Sequence, residues 1–94
     1  MQVRGSARLF HPNGMHARPA IKLTKLAKRF LSRVSIGLSA DGPWTDAKSV
    51  AKVMAMKTPS GVTLFFHAEG SDAHAAVAAL SALVAGDFRD DDPA

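Results

Sequence analysis

Ninety-four residues with 47% hydrophobic side chains allow one domain with one modest core. The absence of cysteine excludes disulfides, thiolate zinc sites and cysteine nucleophiles. The net charge of +4 hides a polarity: residues 1–57 hold eleven Lys or Arg against two Asp, and residues 58–94 hold one Arg against five Asp and one Glu. That asymmetry predicts a basic docking face and an acidic opposite end, suited to an acidic protein partner or to nucleic acid. The N-terminal segment is too polar for a signal peptide and no apolar run approaches membrane-spanning length, so a cytoplasmic protein without membrane insertion is expected.

Val3 to Phe10 alternates, with Val3, Gly5, Ala7 and Leu9 on one side and Arg4, Ser6 and Arg8 on the other, which predicts a half-buried strand. His11-Pro12-Asn13-Gly14 breaks it, and from about Ala17 to Phe30 the spacing becomes helical. Ala20, Leu23, Ala27, Phe30 and Leu31 form the apolar stripe of that helix. Arg18, Lys22, Lys25 and Arg29 form another stripe, with Lys28 close by, and no acid interrupts it with the usual intrahelical pairing.

Arg33 to Ser39 predicts a second strand with Val34, Ile36 and Leu38 inward, and Asp41-Gly42-Pro43 a turn. Trp44-Thr45 begins a short third strand, and Asp46 is placed to cap a short helix over Lys48 to Met54 or Met56. After a loop at Thr58-Pro59-Ser60-Gly61, Val62 to Ala68 alternates again. The last helix is expected from about Asp72 to Ala85, on the stripe Ala73, Ala76, Val77, Leu80, Leu83 and Val84, with Gly86 ending it. Residues 1–88 then form one domain, and Arg89 to Ala94 reads as a disordered acidic tail. The order β-α-β-β-α-β-α implies helices on one face of a four-stranded sheet, an α+β fold.

The chemistry concentrates where the first strand hands over to the first helix. Asn13-Gly14 tolerates positive φ, and Pro19 is accepted only in a first helical turn. His16 is thereby forced to the helix entrance, beside the amides of Ala17 and Arg18. A helix N-terminus is a ready anion site, and Arg18 adds a planar fork of donors for phosphate oxygens. Neutral imidazole is a competent nucleophile at cellular pH. His16, Arg18 and the helix end together make a place to carry a phosphoryl group, with no metal and no cofactor needed. The other histidines contribute less: His11 could flank the site or simply end a strand, and four scattered His without Cys make a metal site improbable.

The run Gly14-Met15-His16-Ala17-Arg18-Pro19-Ala20 resembles the active-site segment of the HPr family, the histidine phosphocarriers of the bacterial phosphoenolpyruvate-dependent phosphotransferase system. A second block, Ala47-Lys48-Ser49-Val50, is similar to the segment that opens the short second helix of that family, and the likeness spans about Val3 to Phe88. The resemblance implies an open-faced β-sandwich with a four-stranded antiparallel sheet. It implies phosphorylation of His16 at Nδ1, with Arg18 screening the charge, helix amides such as that of Ala17 completing the site, and Gly14 and Pro19 holding the geometry. It further implies phosphorylated enzyme I as donor and enzyme IIA-type proteins as acceptors, in a sugar or nitrogen-related branch.

The docking surface implied by the resemblance joins Lys22, Lys25 and Lys28 to the short helix around Val50, Ala51, Lys52 and Met54. Ser49 matches the serine that an HPr serine kinase modifies in many members. Lys52 stands where strongly regulated relatives have Gly, which favours Ser49 as an ordinary helix-start residue. Similar domains also serve dihydroxyacetone kinase systems. From a different class, an RNA-binding module shares much of the element order and the basic charge, but Val62 to Ala68 lacks the Lys/Arg-Gly-aromatic signature.

Overall fold

A computed structural model describes residues 1–88, and the tail expected at 89–94 lies outside them. The elements are β1 (Gln2–Arg8), α1 (Ala17–Ala27), β2 (Arg33–Gly37), β3 (Thr45–Asp46), α2 (Val50–Ala55), β4 (Thr63–Glu69) and α3 (Ala73–Ala85). They follow the order that alternation and helical spacing predict. The strands form one antiparallel sheet in the order β1-β4-β2-β3. β4 is therefore central, paired with β1 from Gln2↔Glu69 to Arg8↔Thr63 and with β2 from Arg33↔Glu69 to Gly37↔Phe65.

Period-two side-chain direction decides which face each strand buries. Leu64, Phe66 and Ala68 of β4, with Val34 and Ile36 of β2, are fully buried beneath the helices. Thr63, Phe65 and His67 occupy the open face and are only half-buried. Leu23 and Ala27 of α1, Val53 of α2, and Leu80 and Val84 of α3 close the core from the other side. Gly5 lets α3 approach β1, because a Cβ there would stand 2.5 Å from Val77 Cγ1. Among the described residues no helix is long and apolar enough to cross a membrane.

Three local expectations are corrected. Leu31 does not join the apolar stripe; it is 88% exposed. The helix stops at Ala27 with Lys28 as its C-cap, so a helical repeat carried to residue 31 extrapolates past its end. Leu38 is not inward either, because β2 ends at Gly37 and the chain turns away before the next inward position, leaving Leu38 exposed. Asp46 is not the cap of the short helix. Its carboxylate accepts from the Lys48 amide at 2.9 Å, while Ser49 is the N-cap of α2 and accepts from the Lys52 amide at 3.2 Å.

Asp72 precedes α3 without making a side-chain cap. Its carboxylate instead accepts from the Leu31 and Ser32 amides, each at 2.8 Å, and from the Ser32 hydroxyl. The hydroxyl contact, followed by the amides, holds its pKa below the ordinary aspartate value. This clasp joins the loop after α1 to the start of α3.

Candidate active site

The loop that delivers His16 is built by backbone pairing with the loop before β4. Leu9 donates to the Val62 carbonyl at 2.8 Å and accepts from the Gly61 amide at 2.7 Å. Met15, almost fully buried, donates to the Thr58 carbonyl at 2.9 Å. Between these anchors the Gly14 amide closes a turn on the His11 carbonyl at 2.9 Å. Gly14 has φ +69°, and a Cβ there would run into the Thr58 carbonyl oxygen. Only glycine meets both demands.

His16 is the N-cap of α1 in extended backbone, and its carbonyl accepts from the Ala20 amide at 3.0 Å. Its side chain does not cap the helix. Pro19, fully buried, brings no amide to this end. The Ala17 and Arg18 amides therefore remain at the helix entrance with no capping side chain, at the positive end of the dipole. The Arg18 side chain is exposed.

The His16 ring is half-buried, and its Nε2 is buried without a hydrogen-bond partner among the described residues. His11 lies against His16, with ring centroids 4.9 Å apart and planes at 60°. Phe88 meets the His11 ring edge-on at 6.1 Å. His11, Arg18, Pro19, Lys22, Asp87 and Phe88 line one depression beside the helix start. The sequence offered His11 only as an ambiguous flank, and it offered Phe88 no role. His11 lies only five residues before His16, whereas Phe88 reaches the site only through the turn that ends α3.

The basic stripe divides in the structure. Lys25 and Lys28 are exposed, whereas the half-buried Lys22 donates to the Phe88 carbonyl at 3.0 Å. Ala51, Lys52 and Met54 are exposed on α2, and Val50 is half-buried. α1 packs against α2, so the two sets belong to neighbouring elements. Ile21, absent from the sequence-based docking set, is 46% exposed on α1. It stands three residues after Arg18 and four before Lys25, on the same helix face. Among the described residues no group of three or more His, Cys, Asp or Glu could hold a metal.

Residues 4–86 match the family PTS-HPr, described as the PTS HPr component phosphorylation site. The chain is 41% identical over 75 residues to the phosphocarrier protein HPr of Cupriavidus necator, which covers 80% of this chain and 82% of that protein. It is 40% identical over 78 residues to the multiphosphoryl transfer protein of Vibrio cholerae, covering 82% of this chain and 20% of that protein. The chain thus spans about a fifth of that longer relative. Among solved structures it superposes on HPr-C-His from Thermoanaerobacter tengcongensis with a TM-score of 0.82 at 28% identity, covering 92% of this chain and 94% of that one. The phosphocarrier protein HPr from Bacillus anthracis gives a TM-score of 0.78 at 34% identity, covering 88% and 96%.

Proposed function

The chain belongs to the HPr family of phosphotransferase-system phosphocarriers, and on that premise we propose that His16 is its phosphoryl acceptor. Phosphorylated enzyme I is the donor and enzyme IIA-type proteins of a sugar or nitrogen-related branch are the acceptors, in the cytoplasm. The observation that supports this reading is His16 at the α1 entrance, as the N-cap residue of a helix whose first amides no side chain caps, with its Nε2 buried.

The chain's own share of the chemistry is small. The Nδ1 lone pair attacks phosphorus in line with the donor, the new N–P bond forms as the donor's bond breaks, and the electron pair leaves with the donor atom. Phosphoryl transfer is mainly positioning and charge stabilisation. The helix amides and the Arg18 guanidinium receive the phosphoryl oxygens, at the end of the dipole that favours negative charge. Lys25 and Lys28, with Ala51, Lys52 and Met54, supply an exposed basic and apolar surface for docking an acidic partner. Gly14 and Pro19 fix the loop that holds the ring. The similarity to one segment of a multiphosphoryl transfer protein supports a carrier module whose donor and acceptor reside in other domains or chains.

The test is phosphorylation by enzyme I and phosphoenolpyruvate, with His16→Ala alongside. The expected result is an acid-labile phosphate on the native chain and none on the variant. Label that persists in His16→Ala, or no label with enzymes I from several branches, would overturn the assignment.

A further inference from the structure

The turn before α1 sets a second imidazole against the first. The His11 and His16 centroids are 4.9 Å apart, and Phe88 meets the His11 ring edge-on. His11 Nδ1 and His16 Nε2 are both buried, and neither has a hydrogen-bond partner among the described residues. Buried polar atoms are nearly always paired, so two orphans on adjacent rings call for an explanation. Two imidazoles joined by an N–H···N bond have centres roughly 5 Å apart, the separation found here. As the rings stand the two nitrogens are not bonded to each other, and χ2 is a soft torsion for imidazole.

We propose that His11 is a positioning residue for phosphoryl transfer, its Nδ1 accepting the proton carried on Nε2 of His16. The inference rests on the reading of His16 as the phosphoryl acceptor. Attack through Nδ1 requires a lone pair there, and so requires the proton of the neutral ring to sit on Nε2. As the Nδ1–P bond forms, the His16 ring becomes cationic and its Nε2–H becomes a stronger donor. The His11 nitrogen then receives a charge-assisted hydrogen bond.

The same contact serves delivery. With Nε2 still protonated, the P–Nδ1 bond breaks as the acceptor's bond to phosphorus forms. Its electron pair returns to Nδ1, and the leaving group is neutral imidazole, not imidazolate. The charged groups lining the same depression are Arg18 and Lys22 from α1 and Asp87 after α3. None of them hydrogen-bonds either nitrogen.

Three variants separate an acceptor from a packing role. His11→Phe keeps an aromatic ring but offers no acceptor, His11→Asn restores an amide oxygen, and His11→Ala removes both ring and acceptor. Phosphoryl transfer from phosphorylated enzyme I is followed in single turnover, and phosphohistidine hydrolysis is followed against pH. His11→Phe and His11→Ala should slow transfer about tenfold, the worth of one charge-assisted hydrogen bond, and displace the hydrolysis profile to lower pH. His11→Asn should recover most of both.

Equal rates and profiles in wild type and His11→Phe would overturn the proposal, and if His11→Phe does not fold the same comparison passes to His11→Ala. If the wild type takes no phosphate, the reading of His16 is what fails. Long-range ¹H–¹⁵N spectra of the unphosphorylated protein then decide the contact by itself. A His16 Nε2 signal that moves between wild type and His11→Phe supports it, and an unmoved signal overturns it.

Discussion

The Lys22 ammonium donates to the carbonyl oxygen of Phe88 at 3.0 Å, joining the basic face of α1 to the turn that ends α3. One cation of the stripe is thereby committed inside the molecule, while Lys25 remains exposed one turn along. Two lysines that look alike in the sequence should behave differently when replaced.

Lys22→Met should lower stability by about 1 kcal/mol, since it leaves a partly buried carbonyl without its donor. Lys25→Met should change stability by less than about 0.5 kcal/mol. It should instead raise KM for enzyme I at low salt, with the difference shrinking as salt is added. Urea unfolding of both variants and phosphorylation kinetics at two ionic strengths provide the check.

Gly14 and Gly61 both have positive φ, but their surroundings differ. At Gly14 a Cβ meets the Thr58 carbonyl, whereas at Gly61 nothing lies within 4 Å. Gly14→Ala should cost about 2–3 kcal/mol and slow phosphorylation, because relief of the clash moves the His16 loop. Gly61→Ala should cost about 1 kcal/mol from backbone conformation alone. Equal losses in denaturant titrations would contradict this account.

The Asp72 carboxylate gives the molecule a defined acid response. Its folded-state pKa is depressed, so its contribution is complete above the unfolded aspartate value near 4. It declines as pH falls below that value and is gone once pH passes the folded pKa. Asp72→Ala should lower the urea midpoint at neutral pH and flatten its fall below about pH 4. A variant with the same acid slope as wild type would remove Asp72 as its source.

Ser49 accepts from the Lys52 amide, so Ser49→Ala should cost about 1 kcal/mol through loss of the α2 cap. Ser49→Asp retains a capping oxygen and should cost less. Any loss of enzyme I docking by Ser49→Asp at unchanged stability then reports charge on the docking face, measured as KM beside the thermal midpoint.

The strands and helices were legible because alternation and helical spacing persist over whole elements, as in Leu64, Phe66 and Ala68 of β4. Some element ends were not, although Gly86 does end α3. Leu31 and Leu38 extend an apolar pattern past the residue where the backbone leaves the element, and periodicity carries no stop signal there. Asp46 and Ser49 are both good capping residues three positions apart, and only the path of the chain after β3 decides between them. For the candidate site, the helix-entrance place of His16 followed from Gly14 and Pro19, both of which act locally. The neighbours His11 and Phe88 lie 77 residues apart in the chain, and no local rule joins them.

The strand pairing also fixes when such a site can come into being during synthesis. β1 emerges first, yet its partner throughout is β4, whose last paired residue is Glu69. The loop carrying His16 is pinned by the Thr58 and Val62 carbonyls and the Gly61 amide. At about 5–20 residues per second, a nascent chain holds the motif for several seconds before those anchors exist. A ribosome-bound fragment that stops short of Thr58 contains every residue of the phosphate motif and none of the backbone bonds that pin it to the loop before β4.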